Sequence, residues 1–246
     1  MQRSLIFIRS AIFSVAFYTW TVLCTLLMIP CHLAPYTWML WWCRTWQNGT
    51  IFLLWLICGV RVEVRGLLHK PSGAALIAAK HQCSFDAFAP LALFELPCIV
   101  AKQELMRIPL FGSHAMHAGV FLTVDRGAHA KALRSLLSQG RNVLAAGRQL
   151  VIYPEGTRAA LGAPPDYKQG VAALYTHLNV PCTPMATNAG AHWRAGSMLR
   201  VPGTIVFEYL PVIPAGLPRD EFMATLQERI ETASNALLGE SSPSAA

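Results

Sequence analysis

Charge is what this sequence has least of. Only 13% of its 246 residues are Asp, Glu, Lys or Arg, and residues 1–60 contain no acid at all. Soluble domains carry about a quarter charged residues, so a freely soluble or disordered chain is excluded as the simplest reading. A cysteine framework is also missing. The seven cysteines form no CxxC pair and no staple spacing, which favours inert thiols in a reducing compartment. No internal repeat and no regular series of apolar spans recurs, which argues against a polytopic transporter. Clustered basic residues interleaved with aromatics are lacking as well. The formal charge is +7 but its Arg and Lys are scattered, so nucleic acid is not the expected partner.

Hydrophobic residues make up 54% of the chain, with a mean hydropathy of +0.39. They concentrate at the start. Ala11 to Ile29 is free of charge and spans about 28 Å as a helix, close to the thickness of a bilayer core. Arg3 and Arg9 precede it, a flank that keeps this end cytoplasmic if the segment spans. A second stretch, Leu33 to Val60, is interrupted by Arg44 and by Gln47-Asn48-Gly49. Trp38, Trp41, Trp42 and Trp46 are expected on one broad helical face at headgroup level. Residues 1–60 therefore read as two apolar helices that anchor the chain on a membrane, the second partly in the interface. The competing reading is an apolar hairpin packed on the body. A basic body behind an acid-free start suits anionic lipid or phosphate.

From Val60 the pattern alternates. Strands are expected at 61–65, 74–79, 98–101, 149–153, 182–186 and 204–209, with helices at 128–146, 170–178 and 220–238. This implies an α/β fold, a layered domain over 61–240 around a mixed or mainly parallel sheet, with 241–246 a loose tail.

Four segments carry chemistry. Lys80-His81-Gln82-Cys83-Ser84-Phe85-Asp86 holds a histidine and a carboxylate five positions apart. On an ideal helix they would diverge by about 140°, so they can meet only if His81 leaves the preceding strand on a loop and Ser84 caps a helix with Asp86 in its first turn. Asp86 would then hold Nδ1–H and leave Nε2 free to take a proton from a hydroxyl. Lys102 follows the strand at 98–101, Arg126 stands in Val124-Asp125-Arg126-Gly127, and Arg158 ends Pro154-Glu155-Gly156-Thr157-Arg158. Cations on loops at strand ends suit phosphate, although Arg126 and Arg158 taken singly read as surface or salt-bridged residues, and it is their order with His81 that favours a site.

These boxes, followed by Val180-Pro181-Cys182-Thr183-Pro184, occur in the order of the glycerolipid acyltransferases of the H-x4-D type. The sequence resembles most the bacterial 1-acyl-sn-glycerol-3-phosphate acyltransferases over about residues 61–215, and its apolar start resembles their two-helix anchor. The resemblance implies His81 as general base with Asp86 as its orienter. It implies Lys102, Arg126 and Arg158 on the acceptor's phosphate, and Glu155, Gly156 and Thr157 shaping the acceptor site. Pro181 and Pro184 would lie near the acyl groove.

It further implies transfer from acyl-CoA or acyl carrier protein to the sn-2 hydroxyl of lysophosphatidic acid, with neither cofactor nor metal. The expected place is a bacterial inner membrane, the catalytic domain on its cytoplasmic side and anionic lipids as partners. Three departures stand out. Lys80 replaces a common asparagine, Cys83 a common serine, and one extra residue separates Gly119 from Arg126, so Gly119 and Phe121 receive no role. Another lyso-lipid acceptor, such as a lyso-ornithine lipid or a lysophospholipid, is the runner-up. From other classes come Cys83 as a nucleophile, a metal held by His114, His117 and His129, and a non-catalytic membrane scaffold, which leaves the ordered boxes unexplained.

Overall fold

The computed structural model describes residues 2–124 and 129–241. Two helices come first, α1 (Gln2–Leu27) and α2 (Tyr36–Cys58), joined by a short 3-10 turn at Ile29–Leu33. The body then runs β1 (Val60–Arg65), β2 (Ala75–Ala79), α3 (Pro90–Leu93), β3 (Pro97–Lys102), α4 (Phe111–Ala118) and β4 (Phe121–Val124). After it come α5 (His129–Ala145), β5 (Gln149–Ile152), α6 (Gly170–Leu178), β6 (Cys182–Thr187), α7 (Ala189–His192), β7 (Gly203–Tyr209) and α8 (Arg219–Ser241). The expected strands and helices fall on these elements within a few residues. β4 escaped the pattern because four residues, Phe-Leu-Thr-Val, are too short to show a period.

The seven described strands form one sheet in the order β1-β7-β6-β2-β5-β3-β4. β6, β2, β5, β3 and β4 run parallel, whereas β7 joins β6 antiparallel and carries β1 parallel to itself. The sheet is mixed and mostly parallel, as expected. Successive strand residues serve opposite faces. Ile77, Ala79, Ile99, Val151 and Tyr153 join one core with residues of α1, α2 and α4, while Leu76, Ala78, Cys98, Leu150 and Ile152 join a second with α5, α6 and α8.

The apolar start packs on the body along one face and leaves the other exposed. Its inner face packs on the sheet through Phe13, Cys24, Leu54 and Cys58, all fully buried. Its outer face exposes Phe7, Ile8, Ile12, Val15, Val22, Leu23, Leu26 and Leu27. Arg3–Leu33 is the one stretch among the described residues that is long and apolar enough to cross a membrane.

Two details differ from expectation. α2 runs unbroken through Gln47-Asn48-Gly49, because Gly49 is where α1 comes closest. A Cβ there would meet the Trp20 ring at 2.5 Å. The tryptophans also divide. Trp38 and Trp41 face outward, whereas Trp42 and Trp46 pack inward, and Trp46 Nε1 donates to Thr21 Oγ1 at 3.0 Å.

Candidate active site

The candidate site stands at the C-terminal ends of β2 and β5, which lie side by side in the sheet. Their parallel register pairs Ala78 with Ile152, and continued three residues further it sets His81 beside Glu155. The two segments then bind each other. His81 N donates to Glu155 Oε2 at 2.9 Å, and Ala159 N donates to His81 O at 2.8 Å. Both backbone groups of the histidine are thus held by the Glu155–Ala159 segment. Gly156 makes this bracket possible by turning the chain at φ +64°, a conformation that costs a side-chain-bearing residue about 1–2 kcal/mol.

Asp86 reaches His81 without the helix that spacing suggested. Residues 83–89 form consecutive turns, and α3 begins only at Pro90. Ser84 is no cap. Asp86 instead closes the loop backwards, its Oδ2 accepting from Gln82 N at 2.5 Å and Cys83 N at 2.8 Å. The same oxygen lies 3.5 Å from His81 Nδ1, longer than a good hydrogen bond, and Nδ1 is buried with no other partner among the described residues. Hydrogen bonds of this kind are often long before substrate binds. Tyr153 completes the support. Its ring stacks on the imidazole at 4.3 Å between centroids, and its hydroxyl donates to Asp86 O at 2.6 Å. The imidazole is pinned on its Nδ1 edge and one face while its side chain remains 15% exposed.

The phosphate-binding candidates are arranged differently. Arg158 is exposed and, among the described residues, its side chain donates only to Ser84 Oγ, at 3.0 Å. Lys102 ends β3, two strand positions from β2 and hence about 10 Å across the sheet. It is exposed, and its side chain makes no hydrogen bond or ion pair among the described residues. Thr157 is exposed beside Arg158. Arg126 lies outside the described residues. Pro181 precedes β6 at the opposite end of the sheet from His81, and Pro184 is buried mid-strand in β6 beside Ala78.

Glu155 is only 3% exposed, so it acts from beneath the site. Its Oε1 lies 2.6 Å from Lys80 Nζ, an ion pair off the line of a good hydrogen bond. Lys80, 6% exposed, also donates to Glu231 Oε1 at 2.6 Å, and that oxygen accepts from Tyr167 OH at 2.9 Å. Burial opposes the Lys80 charge, but the two carboxylates outweigh it and hold its pKa above the ordinary value. Burial lifts the Glu155 carboxyl, against the pull of Lys80. Sequence reasoning registered Lys80 only as a departure. Its signal was a cation ending the apolar run Ala-Leu-Ile-Ala-Ala, where burial demands an acid partner.

The competing chemistries fare poorly. Cys83 is fully buried, and burial together with Asp86 pushes its thiol well above the ordinary value, the reverse of an activated nucleophile. His114 and His117 do approach a third histidine, His32. They are spent on packing: His32 Nε2 and His114 Nδ1 share a hydrogen bond of 2.8 Å, and the outer nitrogens of His114 and His117 meet the Thr25 and Ala34 carbonyls. No group of three or more ligands suited to a metal occurs among the described residues, and the His129 side chain lies outside them.

Comparison with known proteins agrees with this reading of the chain. The model of the acyltransferase family matches residues 61–188. The chain is 34% identical over 200 residues to the 1-acyl-sn-glycerol-3-phosphate acyltransferase of Pseudomonas aeruginosa, covering 80% of this chain and 77% of that one. It is 28% identical to human 1-acyl-sn-glycerol-3-phosphate acyltransferase alpha over 89% of this chain and 77% of that one. Its fold matches the crystal structure of the 1-acyl-sn-glycerophosphate acyltransferase of Thermotoga maritima with a TM-score of 0.72 at 18% identity, covering 94% of this chain and 97% of the other. A sheet that brings the H-x4-D and E-G-T-R boxes together, inside the segment that the family shares, leaves one conclusion: the chain belongs to the acyltransferase family.

Proposed function

We propose that this acyltransferase moves an acyl chain from acyl-CoA or acyl carrier protein to the sn-2 hydroxyl of 1-acyl-sn-glycerol-3-phosphate, yielding phosphatidic acid for phospholipid synthesis. The observation that carries the reading is the contrast at one sheet end between a backed, partly exposed imidazole and two exposed cations with almost no partners among the described residues. Relatives from Pseudomonas and human, each named for this reaction, support the choice of acceptor.

In this mechanism His81 Nε2 takes the proton of the acceptor hydroxyl as its oxygen attacks the thioester carbonyl. Asp86, against Nδ1, stabilises the imidazolium that forms. Collapse of the tetrahedral intermediate breaks the C–S bond, and the proton passes from His81 to the departing thiolate. Arg158, Lys102 and Arg126 hold the phosphate, which converts an encounter into an oriented reaction. Glu155 and Gly156 hold the loop that presents Arg158 and His81 together, with Thr157 between them. The outward apolar face of α1 suits a lipid surface, where the acceptor's own acyl chain resides. We place the enzyme at the bacterial inner membrane, its catalytic site towards the cytoplasm where the thioester donors are.

The test is transfer of labelled oleate from oleoyl-CoA, and from oleoyl acyl carrier protein, to lysophosphatidic acid in vesicles. Wild type is expected to form phosphatidic acid, and His81→Ala to lose about 10²–10⁴ of the rate. Transfer to a phosphate-free lyso-lipid in preference to lysophosphatidic acid would overturn the acceptor assignment.

A further inference from the structure

We infer that Lys80 is a positioning residue of the transfer, fixing His81 through Glu155 from the buried side of the sheet; this rests on the reading of His81 given above. The side chain of Lys80 and that of His81 leave the chain in opposite directions, one towards α8 and one towards the site. Lys80 is 6% exposed and its ammonium lies 2.6 Å from both Glu155 and Glu231. Its influence passes through Glu155, whose second oxygen accepts from the backbone N–H of His81 at 2.9 Å. An ionised carboxylate accepts such a bond about twice as strongly as a neutral acid. Lys80 is the nearest positive charge to that carboxylate and favours its ionised form against the burial that disfavours it.

The architecture around Lys80 is built to hold it. Its backbone N–H donates to Met185 O at 2.9 Å, tying it to β6. Glu231 comes from α8, and Tyr167 from the segment before α6, its hydroxyl donating to the same Glu231 oxygen. Three parts of the chain (the ends of β2 and β5, and α8) therefore meet on one ammonium group, and the segment before α6 braces Glu231 behind it. The titratable groups facing Glu155 are Lys80 and Glu231, with Tyr167 behind Glu231. One cation between two carboxylates is also a lean arrangement. Remove it and Glu155 loses the cation that opposes its burial, so its carboxyl protonates more readily.

The test compares Lys80→Met, Lys80→Gln, Glu155→Gln and the double variant Lys80→Met/Glu155→Gln with wild type, in vesicles, across pH 5–9. In Lys80→Met, kcat is expected to fall about tenfold with little change in either KM, since a hydrogen bond to a charged group is worth that much in rate. Its acid limb should move to higher pH, because Glu155 without its cation protonates earlier. Glu155→Gln should lower kcat without that movement of the acid limb, and the double variant should be no worse than Glu155→Gln alone. Lys80→Gln serves where Met fails to fold.

A uniform loss across pH with additive single effects would reduce Lys80 to a stability role and overturn the inference. The His81 imidazole 15N signals, identified by their absence in His81→Ala, give a readout independent of turnover. They should shift in Lys80→Met and stay put if the inference is wrong. Should wild type transfer nothing to lysophosphatidic acid, the acceptor assignment fails while these signals still decide the role of Lys80.

Discussion

Lys80 and Arg158 are both cations at the same end of the same sheet, yet one is locked and the other free. Lys80 is 6% exposed and holds two carboxylates, whereas Arg158 is exposed and touches a single serine hydroxyl. The difference follows from which side of the strand ends each side chain leaves. A charge aimed into the layer beneath must be neutralised in place, because stripping it of water costs several kcal/mol. A charge aimed outward keeps its hydration and can exchange it for a ligand's phosphate. Protein partners mark a structural charge, whereas a charge with few of them stays available to a ligand.

The sharpest way to break that comparison is to remove each cation and measure stability beside kinetics. Lys80→Met should cost about 3–5 kcal/mol in denaturant unfolding, since it strands buried acids. Arg158→Ala should change stability by no more than about 0.5 kcal/mol. Its effect belongs in KM for lysophosphatidic acid, expected to rise at least about tenfold, with Lys102→Ala behaving alike because each loses a charge-assisted hydrogen bond to phosphate. Equal stability losses for Lys80 and Arg158 would dissolve the distinction.

A smaller effect tests the tie between α1 and α2. Gly49→Val drives a side chain into the Trp20 ring and should cost about 1–3 kcal/mol while leaving acceptor KM unchanged, which thermal unfolding and initial rates can separate. A milder one concerns His114, whose pKa is lowered by burial, then further by His32 and His117. Its folded value lies below the unfolded one, so its stabilising contribution is present above about pH 6.5 and is lost as pH falls through the folded value. Unfolding midpoints between pH 7 and 5 should show this loss, and His114→Gln should blunt it. Least affected should be Cys83→Ser. A fully buried thiol with a raised pKa is no nucleophile, and turnover is expected within about threefold of wild type, whereas an acyl-enzyme would lose about 10² or more.

Much of this molecule was legible in the sequence, for reasons that vary by region. Alternation and short apolar runs marked six of the seven described strands because buried parallel strands must be continuously apolar. The apolar start declared itself by lacking acids. Its Gln47-Asn48-Gly49 segment misled because glycine there serves a close approach between helices, a need that only the partner helix reveals. Asp86 comes within 3.5 Å of His81 through a loop rather than a capped helix, since local propensity cannot show that two backbone amides turn back onto the carboxylate.

By itself the sequence determined which residue types stand at the strand ends: a histidine, a carboxylate and cations in a fixed order. Those are properties of composition and spacing, written along the chain. Only the tertiary structure decided that Glu155 turns inward to hold His81 rather than outward to the acceptor, and that Lys80, read as a mere departure, sits at the meeting point of β2, β5 and α8. Glu231 lies 151 positions from Lys80, and no local pattern encodes a partner at that distance. Burial chose the pairing, because a charge closed off from water must find its counter-charge wherever the fold brings one.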